Sequence, residues 1–323
     1  MIKSYPVINP AGRFFLSGAA WLAIGAVVRS CTFFLFSKRY RVHKAGAIVI
    51  SGTSSGIGRH AALTLDSAGY TVYAGVRKEA DAKSLTDERS SLKPILLDVS
   101  DSESVNNAAK KIENDLKRTG GKLVAIINNA GVSKGMPIEL EDIKDVIWAF
   151  QVNIFGVIRM CKAFIPMLRA NNGRIVNISS VNGKIATKRG GTYAATKFGV
   201  EAISDTLRLE LEQWGISVSI IQPAYIKTLI AAKQMGKNLP WRNLAEDQYA
   251  LYKDLFDNYS SKREKIERLA ASPAVSSAAI IHAITSSYPK TRYAVANVGV
   301  FPAWFVLLLK RILPDRLFDV LNG

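Results

Sequence analysis

The chain has 323 residues, 48% hydrophobic and 21% charged, which suits one large α/β domain with extensions and excludes wholesale disorder. Cys31 and Cys161, with His43, His60 and His282, stand at no metal-ligand spacing, arguing against a metal enzyme and against a disulfide-stapled secreted domain. The net charge of +17 is heavy at the N-terminus, where Lys3, Arg13, Arg29, Lys38, Arg39, Arg41, Lys44 and Arg59 all precede the first acid, Asp66; with no nucleic-acid-binding motif beside it, this charge points to anionic lipid headgroups rather than to nucleic acid.

From Phe14 to Phe36 the sequence is almost wholly apolar. Phe14 to Val28 alone would reach ~22 Å as a helix, against a hydrocarbon core of ~30 Å. Continuing to Phe36 spans it if Arg29 snorkels. Residues 1–45 are therefore expected to be a membrane-anchor segment, either crossing the bilayer or lying in its interface. More positive charge follows the run than precedes it, which places the rest of a spanning chain on the cytosolic side.

From Gly46, short β-branched runs alternate with stretches of helical length. Ala47–Ile50, Thr71–Ala74, Ile95–Leu97, Leu123–Ile127, Arg174–Ile178 and Ser217–Ile221 predict buried strands. Arg59–Ala68, Ser104–Arg118, Asp145–Arg169 and Thr192–Trp214 predict helices. The alternation calls for a doubly wound parallel sheet covered on both faces, a three-layer Rossmann-type α/β domain over 46–297. Residues 227–269, long, polar and helix-prone, follow the sixth strand and read as a substrate lid. An apolar tail, 298–323, closes the chain; its Phe301–Leu309 stretch, bordered by Lys310 and Arg311, is either core or a second membrane contact.

Three motifs carry chemistry. Ser51-Gly52-Thr53-Ser54-Ser55-Gly56-Ile57-Gly58 lies between a strand and a helix, where glycines let backbone approach a pyrophosphate at the helix N-terminus. The second strand runs out through Val76-Arg77-Lys78 with no acid for a ribose 2′-OH, while Arg77 and Ser55 suit a 2′-phosphate; the expected cofactor is NADP(H), with NAD(H) left open. Tyr193 and Lys197 stand at i and i+4 on one helix face, where the ammonium is expected to draw the phenol down towards working pH.

Together with Asn128-Asn129-Ala130-Gly131, Ser180 thirteen residues before Tyr193, and Tyr193-Ala-Ala-Thr-Lys197, the glycine turn resembles the short-chain dehydrogenase/reductase family across Gly46 to Asn297. The resemblance implies a nicotinamide-dependent oxidoreductase, commonly a homo-oligomer, with Tyr193, Lys197, Ser180 and Asn153 catalytic. It further implies that Lys197 bonds the nicotinamide ribose and that Asn153 holds a water. By the same likeness Asp98 and Val99 meet the adenine, and Asn129, Ala130 and Gly131 run under the adenine ribose. Pro223, Ile226 and Thr228 belong to the segment that cradles the carboxamide. Ala224 departs from the family's usual glycine, which limits φ > 0 there.

Thr196 to Ala202, with Ser204-Asp205 and Leu207-Arg208, is similar to the retinol, 17β-hydroxysteroid and 3-hydroxybutyrate dehydrogenase branch. The function this implies is NADP(H)-dependent interconversion of a lipophilic, retinoid- or steroid-like alcohol and its carbonyl, at a membrane and first of all that of the endoplasmic reticulum. The alternatives are an NAD-linked 3-hydroxy-acid dehydrogenase of mitochondrial type and a membrane-bound dinucleotide sensor without turnover; mitochondrion and plastid are the alternative locations.

Overall fold

The computed structural model describes residues 38–228 and 239–322. The chain divides after Arg39, and the architecture below is that of the second unit, Tyr40–Gly323. The anchor expected within residues 1–45 falls almost wholly outside the described residues.

Seven strands form one sheet: β1 (Ala47–Ile50), β2 (Thr71–Val76), β3 (Lys93–Leu96), β4 (Leu123–Asn128), β5 (Arg174–Ile178), β6 (Ser217–Pro223) and β7 (Arg292–Val295). Their order is β3-β2-β1-β4-β5-β6-β7, and every neighbouring pair is parallel. The central strands are buried along their whole length, because uninterrupted apolar runs can be stable only with cover on both faces.

The covering helices are α1 (Gly56–Ser67), α2 (Glu79–Glu88), α3 (Ser102–Thr119), α4 (Ile143–Phe150), α5 (Gly156–Arg169) and α6 (Gly191–Glu210). After a region of short helices come α7 (Glu246–Leu251), α8 (Lys253–Asp257), α9 (Tyr259–Leu269) and α10 (Ala274–Thr285). Residues from α3, α5 and α6 build one core against the sheet, and residues from α1, α2 and α10 build the other. This is the expected doubly wound, three-layer arrangement. Its crevice opens at the carboxyl ends of β1 and β4, where the winding reverses.

α3 shows the local logic. Val105, Ala108, Ala109, Ile112 and Leu116 recur on one face and are buried. The Asp101 side chain caps the start, accepting from the N–H groups of Glu103 and Ser104 at 3.0 and 3.3 Å, and Gly120 ends the helix in the left-handed conformation.

The sheet has one strand more than the sequence predicts. Within β7 only Tyr293 is buried, so this edge strand lacks the continuous apolar run that betrays the others. The helix from Ile143 to Arg169 is long and apolar enough to cross a membrane by composition, yet Met160, Cys161, Phe164 and Leu168 pack into the core of this domain.

Where a lid is expected, Leu239, Trp241 and Phe256 form a small core of their own with Met136 from the segment after β4. The Trp241 and Phe256 rings stack with centroids 5.1 Å apart. Arg189 joins the same cluster: its guanidinium lies 4.7 Å from the Trp241 ring centre and 3.7 Å from that of Tyr259, and it donates to the Gly135 carbonyl at 3.3 Å.

The final residues form a hairpin of β8 (Asn297–Val298) and β9 (Phe301–Pro302), then α11 (Ala303–Ile312) and α12 (Asp315–Asn322). Val306 and Phe318 pack on Ile185, while Trp304, Leu308 and Ile312 line an exposed stripe on α11.

Arg174 opens β5 and is 1% exposed. Its guanidinium donates to the carbonyls of Ala283 in α10, at 2.6 Å, and Arg41, at 2.8 Å, tying the segment before β1 to the far layer. Arg174→Ala should therefore cost about 2 to 4 kcal/mol, since it leaves a cavity and strands both carbonyls. Chemical denaturation would measure this, and a loss below about 0.5 kcal/mol, the usual scale of surface substitutions, would show that Arg174 anchors nothing.

Candidate active site

The turn after β1 and the loop after β4 meet at a distance that excludes side chains. A Cβ at Gly52, whose φ is +72°, would stand 2.8 Å from the Ala130 Cα, and one at Gly58 would stand 2.3 Å from the Asn129 side-chain nitrogen. That nitrogen donates to the carbonyls of Ser51 and Gly52, both at 2.9 Å, while the Ser51 hydroxyl accepts from the N–H groups of Asn129 and Ala130, both at 3.1 Å. Asn129 and Ala130 are thus brought to the glycine turn, and Gly131 follows them.

Ser55 occupies the N-cap of α1 in extended conformation, and its side chain makes no capping bond. The N–H groups of Gly56, Ile57 and Gly58 are thereby left to meet an anion. An open groove of about 440 Å³ begins here, bounded by Gly56, His60, Thr228 and Pro273. Thr228 crosses to the turn, its Cγ2 lying 3.1 Å from where a Gly56 Cβ would be.

Ser54 is exposed, and so is Arg77 at the end of β2, which makes no ion pair among the described residues. At the end of β3 the Asp98 carboxylate accepts from the Ser100 N–H and hydroxyl at 2.9 and 2.6 Å. Val99 is buried, packed so closely on Gly156 that a Cβ there would stand 2.8 Å from its Cγ2. Pro223 ends β6, and Ile226 is buried in a bridge to Ala271. Ala224 does not adopt positive φ; its N–H donates to the Val295 carbonyl at 3.0 Å, so the missing glycine distorts nothing.

On α6 the Lys197 ammonium donates to the Ile178 carbonyl at 2.8 Å and lies 5.7 Å from the Tyr193 ring centre. Ser180 lies close enough to the Tyr193 phenol to favour its ionised form. The Ser180 hydroxyl accepts from the Asn182 N–H at 3.1 Å and faces the Pro223 carbonyl at 3.4 Å.

Asn153 is buried in a π-helical turn, Gln151–Phe155, between α4 and α5. Its amide accepts from the Val132 N–H at 2.8 Å and donates to the Val132 carbonyl at 2.9 Å and the Thr196 hydroxyl at 3.0 Å. A Cβ at Gly131 would stand 3.5 Å from the Asn153 oxygen and 3.6 Å from the Lys197 nitrogen, so both groups converge over that glycine. Tyr193, Lys197, Ser180 and Asn153 are thus gathered at one place. The widened turn lets Asn153 leave the regular helical face to reach it.

One expectation is corrected. Burial pushes the Tyr193 phenol above its ordinary range, with Ser180 opposing, and takes Lys197 down to about 8, with Glu201 opposing. Desolvation of the buried phenol sets this direction, and the Lys197 ammonium is directed at the Ile178 carbonyl.

Behind the site runs a buried polar chain in which Asn128 braces the sheet. Asn128 donates to the Asn177 oxygen at 2.8 Å, Asn177 to the Ser204 hydroxyl at 2.8 Å, and Ser204 to the Val200 carbonyl at 2.6 Å. The cross-strand pairing of Asn128 and Asn177 becomes visible only once the register is known.

The model of the family described as short chain dehydrogenase matches residues 46–238. The chain is 33% identical over 309 residues to mouse "Retinol dehydrogenase 5", covering 92% of this chain and 94% of that protein. It is 34% identical over 266 residues to mouse "D-beta-hydroxybutyrate dehydrogenase, mitochondrial", covering 76% of each. In structure it is similar to a short chain dehydrogenase from Burkholderia cenocepacia J2315 solved in complex with NADP, with a TM-score of 0.66 at 20% identity, covering 88% of this chain and all of that one.

Proposed function

The chain belongs to the short-chain dehydrogenase family and is a nicotinamide-dependent oxidoreductase of alcohols; we propose that it interconverts a lipophilic, retinoid- or steroid-like alcohol and its carbonyl, with NADP(H) as the preferred cofactor. The convergence of Tyr193, Lys197, Ser180 and Asn153 beside the glycine turn is the observation that carries this reading.

Gly52 and Gly58 let the turn close on Ala130 and Asn129, and a pyrophosphate would sit at the N-terminus of α1 beside Gly56, with Ser54, Ser55 and the N–H groups of Gly56 and Ile57 as donors. Arg77 would pair with a 2′-phosphate. Asp98 and Val99 would meet the adenine, Asn129, Ala130 and Gly131 its ribose, and Pro223, Ile226 and Thr228 the carboxamide. A bound nicotinamide dinucleotide supplies or accepts the hydride. Tyr193 gives its phenolic proton to the carbonyl oxygen in reduction and takes one from the alcohol in oxidation. Burial raises the phenol above its ordinary range. Ser180 holds the substrate oxygen, and Lys197 stabilises the phenolate as it forms. Asn153 braces the Val132 backbone beside the lysine.

The relative named for retinol supports a lipophilic substrate. The relative named for hydroxybutyrate keeps a short hydroxy acid as the alternative. Such an acid needs a fixed cation, whereas Arg189, on the loop leading to Tyr193, directs its charge at two aromatic rings. Attachment to a membrane would come from Phe14–Phe36, outside the described residues, and from the exposed α11 stripe with Arg311 beside it.

Tyr193→Phe should cut turnover about 100-fold or more, while dinucleotide affinity stays nearly unchanged, because only the transferable proton is lost. Steady-state rates with retinol, a hydroxysteroid and 3-hydroxybutyrate, beside fluorescence titration with NADPH, measure both; a variant retaining a tenth of wild-type activity defeats the assigned role.

Val76→Asp with Arg77→Ala should move preference towards NAD, since a carboxylate there accepts from a 2′-OH and repels a 2′-phosphate. The ratio of kcat/KM for the two cofactors reads the change, and a wild type that already favours NAD refutes the NADP(H) assignment.

Full-length protein should float with liposomes containing anionic lipid, and removal of residues 1–44 should make it at least partly extractable by salt. Full-length protein remaining in the soluble fraction would overturn the membrane reading.

A further inference from the structure

We propose that Glu201 is a positioning residue for this reaction: from one helical turn beyond Lys197 it holds the lysine in its charged form, and Arg292 limits how strongly it does so. The inference rests on the role given to Lys197 above. Tyr193, Lys197 and Glu201 stand at i, i+4 and i+8 on α6, so the three side chains share a face. Lys197 is 4% exposed and Glu201 2%.

The Glu201 carboxylate is held from three directions. One oxygen accepts from the Gln222 side chain in β6 at 3.0 Å. The other accepts from the Arg292 guanidinium in β7 at 2.8 Å and lies 3.5 Å from the Lys184 ammonium, on the turn that follows Ser180. Arg292 is itself shared with Asp205, at 2.6 Å, and Asp205 with Arg208, at 3.4 Å. A Cβ at Gly183 would stand 2.9 Å from the Glu201 Cγ, so the turn carrying Ser180 leans on this side chain as well.

Glu201 is the buried carboxylate one helical turn beyond Lys197, and Tyr193 stands one turn before it. From β5 Lys197 meets the Ile178 carbonyl, and over Gly131 it meets the amide of Asn153. Burial favours the neutral amine, and Glu201 opposes that tendency, leaving the lysine titrating at about 8. A lysine much below that would be largely neutral at physiological pH and could not favour a phenolate. Lys184 and Arg292 draw on the same carboxylate, so the pull on Lys197 is graded by groups outside the reacting set.

The test is an NMR titration of the full-length protein carrying 13C-labelled lysine, without substrate, with the Lys197 signal assigned from Lys197→Met. Glu201→Gln should lower the Lys197 midpoint by about one pH unit, the scale for loss of a nearby opposite charge. Glu201→Asp should restore most of it. Arg292→Gln should move it upwards, because it removes a repelling cation and a competitor for the carboxylate. Opposite shifts support the proposal, since a merely structural brace between α6 and β7 would move both variants alike. An unchanged midpoint in Glu201→Gln, or a fall in Arg292→Gln, overturns it. If Glu201→Gln does not fold, by circular dichroism, the Arg292→Gln direction decides alone. The titration needs no turnover, so a wrong substrate or cofactor assignment would leave its outcome readable.

Discussion

Two backbone segments cross at the carboxyl edge of the sheet at a separation only glycine tolerates, and the rest of the site is measured from that crossing. The Ala130 Cα occupies the space a Gly52 side chain would need, and the Asn129 amide occupies that of Gly58. This close approach is available because β1 and β4 are direct neighbours although the chain runs out to β3 between them. Once it is made, the N-terminus of α1 points into the crevice with its donors free, and Gly131 is carried to the point where Lys197 and Asn153 converge. The anion-binding end and the proton-transfer end are thus registered by a few short hydrogen bonds to Ser51 and Gly52.

Polar groups buried behind the site hold it rigid. Asn128, Asn177 and Ser204 form a chain from β4 through β5 to α6, and Glu201 meets Gln222 and Arg292 on β6 and β7. Burying such groups is costly unless each finds a partner. Once paired they admit few alternative arrangements, because a slip of register by one residue would break several bonds together. The core supplies most of the cohesion, and these bonds fix how α6 sits on the sheet.

Much of this was legible in the sequence, for a physical reason in each case. Five strands, β1, β2, β4, β5 and β6, stood out because strands buried on both faces need unbroken apolar runs, and the edge strand β3 through its short apolar stretch Ile95–Leu97. Tyr193 and Lys197 stood out because a spacing of four is one helical turn. The same spacing repeated once more reaches Glu201, a signal present in the chain but left unread. β7 stayed hidden because an edge strand can be half polar, and the π-helical turn stayed hidden because one extra residue in a turn leaves no mark on apolar periodicity. Arg174 is legible only as the first residue of a strand, and nothing in the sequence singles out Arg189. The partners that explain them, the Ala283 and Arg41 carbonyls and the rings of Trp241 and Tyr259, lie far along the chain.

The segment expected to form a lid, 227–269, lies between β6 and β7, two strands paired directly in the sheet. Pairing them closes everything from Pro223 to Arg292 into one long loop. The entropy of closing a loop grows only with the logarithm of its length, so doubling it costs about 0.6 kcal/mol. Insertions and deletions there are consequently cheap for the sheet. The short helices of the lid are also packed mainly on one another, on Met136 and around Arg189. The segment between β6 and β7 can therefore diverge in length and shape at little thermodynamic expense, whereas the crossing of the glycine turn with Asn129 and Ala130, where a side chain on Gly52 or Gly58 would fall within 3 Å of its neighbours, is sterically frozen. A single scaffold can in this way hold one chemistry constant while the molecules admitted to it change.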